Sequence, residues 1–424
     1  METIFALSSG SPPAGIAVIR LSGPLAGKVL GVLVGSLPRP RHASLRHFRD
    51  SEGQLLDSGL ALWFPGPDTV TGEDLAELHL HGGRAVVAAI EAALAATEGL
   101  RPAQPGEFTR RAFANGRIDL AEAEGLADLL AAETEWQRRA AVDLAGGMFS
   151  KRLESWRVRL LALAAEVEAS LDFDDEGDVT GLRESFAGDV AALGAEIGDA
   201  ADAPRAEALR EGFRVALAGP PNAGKSTLFN SLVESEAAIT SPMPGTTRDV
   251  IERSVAFGGA PFTFVDMAGL REEGAEEIEV IGIGRARAEL GRADLVLWLG
   301  PERQGPDRAW EIEAQADRAE RLAKLAPHFR VSAVTGEGMA ALRSALVDEA
   351  RSAMQVPGKT ALHRRQRTLM AEAALALQGA AGQADLLLLA EQLRRARLAF
   401  DALIGRSATE DMLDALFGRF CIGK

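Results

Sequence analysis

Residues 219–227 read G-P-P-N-A-G-K-S-T, the G-x-x-x-x-G-K-S pattern in which backbone N–H groups and one lysine surround the phosphates of a nucleoside triphosphate. Gly219 and Gly224 let the loop curl inward, with Asn222 and Ala223 between them. Lys225 is placed to neutralise phosphate charge, Ser226 to ligate Mg²⁺, and Thr227 follows in a helix whose positive N-terminal end faces the anion. The apolar run 213–218 before the loop and residues 228–233 after it supply the strand and helix such a cradle requires.

Further nucleotide elements follow in order. G-T-T-R-D at 245–249 comes after the flexible stretch 239–244, and Thr247 there can close on Mg²⁺ and the γ-phosphate. D-M-A-G at 266–269 follows a β-like run, so Asp266 can hold the Mg²⁺ water shell and the Gly269 N–H can sense the γ-phosphate. A lone D-x-x-G is weak evidence; third in this series it is strong. Two departures stand out. Leu270 occupies the place where a water-orienting glutamine is frequent, and the carboxylates of 276–279 are either its replacement or a solvated acidic loop. No N-K-x-D occurs; the best counterpart is A-Q-A-D at 314–317, ahead of Ser332 and Ala333. Asp317 there would accept two hydrogen bonds from guanine, whereas adenine would leave the carboxylate unpaired. The same stretch also reads as the start of an exposed helix.

These loops need a scaffold, and the 424-residue chain changes style near residues 117, 210 and 346. Residues 1–116 carry short β-like runs such as 15–21 and 59–64 between Pro/Gly turns, which predicts a small α+β domain. Residues 117–209 place Leu153, Trp156, Leu160 and Leu163 at helical spacing, which predicts long helices. Residues 210–345 alternate strand and helix, with strands expected at 213–218, 250–257, 261–266, 294–299 and 329–333, a Ras-like doubly wound α/β unit. Residues 346–424 return to helix, the last one opened by a capping box from Ser407 to Glu410. Two helical sections around an α/β unit predict one helical domain carrying an insertion.

Composition narrows the function classes. A net charge of −15 argues against a protein that coats nucleic acid non-specifically, while permitting a local basic groove. The single cysteine, Cys421, rules out an internal disulfide framework and fits a reducing cytoplasm. No apolar run is long enough to span a bilayer, and the acidic start is unlike a secretion signal, so a cytoplasmic protein without a membrane partner is expected. His79 and His81 project to one strand face, but no third ligand has metal spacing.

The chain closely resembles the tRNA-modification GTPase MnmE (TrmE) family over essentially its whole length. The resemblance rests on G-I-A-V-I-R-L-S-G at 15–23, F-P-G-P at 64–67, T-G-E-D at 71–74, E-L-H-L-H-G-G at 77–83, P-G-E-F-T at 105–109 and A-F-A-N at 112–115. The nucleotide loops and the ending F-C-I-G-K at 420–424 complete it. That ending is the most specific element, since a terminal C-x-G-K has no evident folding reason. The resemblance implies an N-terminal domain that forms a homodimer and binds a tetrahydrofolate one-carbon derivative, in the 5,10-methylene or 5-formyl form. With the FAD-binding protein MnmG, in a heterotetramer, such proteins add a carboxymethylaminomethyl or aminomethyl group to carbon 5 of the wobble uridine (U34) of certain tRNAs.

Carried over by position, the resemblance implies folate contacts at Arg20, Glu77, Arg117 and Lys424, with Arg117 standing where lysine is frequent. It implies K⁺ at Asn222, Ser241, Met243 and Thr246 beside the GTP phosphates, where a cation does the work of an arginine finger. It makes Glu279 the water-activating carboxylate and Arg271 a switch residue. Cys421 is then either a nucleophile toward uridine or a small buried hydrophobe. The arginines at 364, 365 and 367 and at 394, 395 and 397 read equally as tRNA phosphate contacts and as solvated helix faces. Two other readings stay open: a regulatory GTPase that only binds RNA, and a folate-dependent transferase with a relic nucleotide domain.

Overall fold

The computed structural model describes residues 2–172, 182–202, 206–234, 237–238, 251–267, 290–354, 360–407 and 409–424. It separates into two compact units, residues 1–127 with 401–424, and residues 128–400.

The first unit is built on a six-stranded sheet. Its strands are β1 (Thr3–Leu7), β2 (Ile16–Ser22), β3 (Ser44–Arg49), β4 (Leu55–Phe64), β5 (Leu75–His81) and β6 (Leu100–Pro102), in the order β3-β4-β5-β2-β1-β6. All neighbours are antiparallel except β1 and β6. Period-two alternation decides which side is core: Ala17, Ile19 and Leu21 of β2 are fully buried, while Ile16 is exposed. The buried set packs with Val29 and Leu30 of the helix Ala26–Val34 and Ile90 and Leu94 of the helix Arg84–Ala95. Arg20, between Ile19 and Leu21, therefore points to the other face.

The C-terminal segment is part of this unit. Phe417 of the helix Glu410–Phe417 meets Phe113 and Phe420, each with ring centroids 6.1 Å away. The predicted capping box is displaced: Thr409, not Ser407, caps this helix, its hydroxyl accepting from the Met412 N–H. Glu410 is thereby the first helical residue, and its carboxylate pairs with Arg110 instead of folding back. The C-x-G-K ending also proves to have a folding reason. Gly423 holds φ +93°, and a Cβ there would lie 2.2 Å from the Leu7 carbonyl oxygen, so the tail can lie against β1 only as glycine. The Ser8 hydroxyl donates to the Gly423 carbonyl at 2.9 Å.

The second unit combines helices with a seven-stranded sheet. β7 (Phe213–Ala218), β8 (Ala237–Ala238), β9 (Ile251–Phe257), β10 (Ala260–Asp266), β11 (Leu295–Trp298), β12 (Trp310–Glu313) and β13 (Phe329–Arg330) lie in the order β13-β12-β11-β7-β10-β9-β8. β7 runs parallel to β10 and β11, and β12 and β13 continue the parallel set. The order reverses at β7, which makes its carboxyl end the topological switch point where α/β sheets bind ligands. Buried phenylalanines of β7, β9 and β10 share a core with Leu342 and Leu346 of the helix Met339–Met354. The expected strands are present with ends moved by a few residues, and a further strand, β12, ends just before Ala314.

The nucleotide fold is inserted between helices that pair with each other. Phe186–Ala201 precedes it and Arg364–Ala381 follows it, and the two pack together where Gly194 lets the Leu377 side chain approach closely. Trp136, at the start of the helix Glu135–Ala145, enters the core of the α/β fold, and its backbone N–H donates to the Gly259 carbonyl at 3.1 Å. No described helix is long and apolar enough to cross a membrane.

The connections from β11 to β12 and from β12 to β13 contain no helix, which overturns the helix-start reading of 314–317. Side chains hold the second connection instead. Glu313, fully buried, accepts from Arg321 at 2.7 Å, from Arg330 at 2.9 Å and from the Lys324 N–H at 3.0 Å.

Candidate functional site

The phosphate-type loop sits at the end of β7. Asn222 (φ 63°) and Gly224 (φ +92°) adopt the left-handed conformation, and Gly224 ends the loop as the N-cap of the helix Lys225–Val233. Lys225, only 7 % exposed, turns back so that its Nζ donates to the carbonyls of Gly219 at 2.9 Å and Pro220 at 2.8 Å. The ammonium is thereby fixed against the loop, while Ala223 and Thr227 flank Gly224 and the helix start. Ser226 donates its hydroxyl to Asp266 Oδ2 at 2.7 Å. A hydroxyl and a buried carboxylate brought together at a strand end form the hard oxygen donor set that suits Mg²⁺. Ser241, Met243, Thr246, Thr247, Gly269, Arg271 and Glu279 lie outside the described residues.

A recess beside the loop is lined by Gly224, Thr227, Gln315, Asp317 and Ala333. The Ser332 hydroxyl donates to Asp317 Oδ1 at 2.6 Å. That bond, followed by one from a backbone N–H, holds the Asp317 carboxyl below its usual range, so it stays an acceptor. Asp317, Ser332 and Ala333 are thus gathered beside the phosphate-type loop, although the flanking asparagine and lysine of N-K-x-D are absent.

The first unit holds a separate cavity of about 630 Å³. Arg20, Glu77, Arg117 and Lys424, drawn from four separate segments, all line it. Arg20 and Glu77 are cross-strand partners on β2 and β5, and Arg20 Nη2 donates to Glu77 Oε1 at 2.8 Å. Burial alone would raise the Glu77 pKa; hydrogen bonding and charge from Arg20, then from His79, bring it below its ordinary value. The rings of Phe64 and Phe108 supply flat walls. The Arg20 guanidinium lies 5.9 Å from the Phe108 centroid. Arg117 Nη1 stands 3.5 Å from Asp68.

Comparison with known proteins matches the family described as "GTP-binding protein TrmE N-terminus" to residues 3–117 and that described as "MnmE helical domain" to residues 120–421. A protein of Erythrobacter litoralis named "tRNA modification GTPase MnmE" is 62 % identical over 424 residues, covering all of both chains. The chain belongs to the MnmE family. A second MnmE, from Novosphingobium aromaticivorans, is 60 % identical over 435 residues, again covering both chains completely. Among solved structures, the G domain of the T. maritima FeoB iron transporter aligns with 32 % of this chain and 98 % of its own, at 25 % identity and a TM-score of 0.23.

Other described residues of the chain occupy plainer places. Cys421 is an exposed free thiol, not the buried hydrophobe that a lone cysteine often is. His79 contacts Glu77 at 3.2 Å, and His81 Nδ1 lies 2.8 Å from Asp57 Oδ1. Arg394 pairs with Glu391 one helical turn away at 2.7 Å. Sequence reading passed over Gln315, Arg41 and Phe108. Gln315 carried a signal, lying two residues before Asp317, and so did Phe108, which stands in the P-G-E-F-T run at 105–109; nothing in the chain marks Arg41.

Proposed function

We propose that this GTPase of tRNA modification is activated by K⁺ and by dimerisation. In this reading it works with an FAD-dependent MnmG partner to add a carboxymethylaminomethyl or aminomethyl group at carbon 5 of U34. The observation that carries the folate part is the 630 Å³ cavity lined jointly by Arg20, Glu77, Arg117 and Lys424. A carboxylate held ionised against an aromatic wall suits the amidine-like edge of a pterin, and Arg117 and Lys424 suit a glutamate tail. A tetrahydrofolate derivative bound there supplies the one-carbon unit.

In the nucleotide domain, Lys225 and the N–H groups of residues 222–227 hold the phosphates. Ser226 and Thr247 ligate Mg²⁺, which balances phosphate charge, and Asp266 orients its shell. Asn222, Ser241, Met243 and Thr246 hold K⁺, with Gly269 and Arg271 in the switch and Glu279 activating water. Asp317, Ser332 and Ala333 select guanine, and Cys421 serves the uridine chemistry. The working divisions are residues 1–116 for folate and dimerisation, 117–209 and 346–424 for the helical domain, and 210–345 for the inserted GTPase, in a cytoplasmic protein. The test is nucleoside analysis of tRNA from a strain lacking this chain: unmodified wobble uridine is expected, and normal modification overturns the reading.

A further inference from the structure

The cavity of the first unit holds more positive charge than the proposed folate contacts use. Arg20 is neutralised by Glu77, and Arg117 and Lys424 are the proposed partners of the two carboxylates on a single glutamate tail. Arg41 lines the same cavity and is left over. Among the described residues no carboxylate pairs with its guanidinium, which donates to the Asp68 main-chain carbonyl and lies 6.0 Å from the centroid of the Phe64 ring. The residue is held in place by its backbone as well. Its φ is 61°, in the left-handed region, and its N–H donates to the Trp63 carbonyl near the end of β4 at 2.7 Å.

Asp68 locates Arg41 within the cavity. Its carbonyl accepts from Arg41 while its carboxylate stands 3.5 Å from Arg117 Nη1, so the two arginines flank one loop residue. The Asp68 side chain is 82 % exposed, which puts this pair of cations at the mouth. Arg20, Glu77 and the Phe108 ring form the other group, tied together by the Arg20–Glu77 bond and the stacking of Arg20 on Phe108.

We infer that the ligand of this cavity is a tetrahydrofolate carrying a chain of γ-linked glutamates, and that Arg41 binds a carboxylate beyond the first glutamate. This deepens the folate reading of the cavity and rests on it. Each added γ-linked glutamate leaves its α-carboxylate free, so the tail gains one negative charge per residue. A pterin seated against Glu77 sends its tail toward Arg117 and out past the exposed Asp68, where Arg41 is the next cation. A planar guanidinium set in advance by the Phe64 ring and the Asp68 carbonyl can offer paired N–H groups to a carboxylate. Ion pairs at an open mouth are individually weak, so the result is a graded preference for tail length.

The test uses the full chain and compares 5-formyltetrahydrofolate as its monoglutamate and its triglutamate, by calorimetry. The wild-type chain is expected to bind the triglutamate about three- to tenfold more tightly, and that ratio should shrink as ionic strength rises. In Arg41→Gln the ratio should fall toward one, and in Arg41→Lys, which keeps the charge, most of it should return. Equal wild-type affinity for the two forms overturns the inference, as does a ratio that survives Arg41→Gln or is indifferent to salt. An equal loss for both forms in Arg41→Gln also overturns it, since Arg41 would then be part of the cavity wall alone. If neither form binds the wild-type chain, the folate reading itself fails and this inference with it.

Discussion

The phosphate-type loop and the cavity of the first unit are built in opposite ways. The loop is a continuous run, 219–227, that presents backbone N–H groups, one lysine and one hydroxyl, and its neighbours in sequence are its neighbours in space. The cavity draws Arg20, Glu77, Arg117 and Lys424 from across the chain, and only folding brings them to one lining, with Arg20 and Glu77 paired within it. A contiguous site is encoded by spacing; a dispersed one is encoded by everything that folds around it.

If the two sites are independently encoded, damage to one should spare the other. The largest effect is expected from Lys225→Ala, which removes the cation held against the loop by the Gly219 and Pro220 carbonyls. GTP turnover in a phosphate-release assay should fall about 10²–10³-fold, the scale for deleting one transition-state donor. Binding of 5-formyltetrahydrofolate, by equilibrium dialysis, should stay at the wild-type level, and a parallel loss would break the comparison.

The reciprocal change is Glu77→Ala. It strips the cavity of the carboxylate that faces Arg20 and leaves that guanidinium without its partner. Folate affinity should drop about thirtyfold by calorimetry, with GTP turnover unchanged.

A dispersed site should also be sensitive to substitutions that touch no ligand. Gly423→Ala places a methyl group against the Leu7 carbonyl at a backbone angle that L-residues avoid. Denaturant unfolding should show about 1–3 kcal/mol of lost stability together with weakened folate binding, because Lys424 is displaced. Unaltered folate affinity would mean that the tail does not position Lys424.

The smallest effect concerns acid. Burial would raise the Glu107 pKa, but hydrogen bonds from Arg101, the Gln104 N–H and Arg111 lower it from the usual 4.5 to about 2. The folded chain therefore binds this proton less tightly than the unfolded chain. The stabilisation is complete above pH 4.5 and is lost as pH falls from 4.5 toward about 2. Glu107→Gln should flatten the pH dependence of unfolding in that window; an unchanged slope would remove Glu107 from the set of residues that hold the first unit together.

The same contrast explains what could be read from the chain. Strands β7 and β10 are legible because apolar runs end in recognisable loops. The cap of the last helix was misread because Ser407 and Thr409 both offer hydroxyls to a helix start, and pairing of Glu410 with Arg110, 300 residues away in sequence, disfavours the earlier one. The missing helix between β12 and β13 was not legible either, since the buried charge of Glu313 gains meaning only beside Arg321 and Arg330.

By itself the sequence determined the nucleotide loop, the places of the five expected α/β strands along the chain and the family, because these depend on local backbone geometry and on motifs at fixed spacing. Only the tertiary structure decided that Arg20 and Glu77 pair across two strands, that glycine is required three residues after Phe420, and that Gln315 spans to Asn222. Those are contacts between distant segments, fixed by packing, and no local pattern records them.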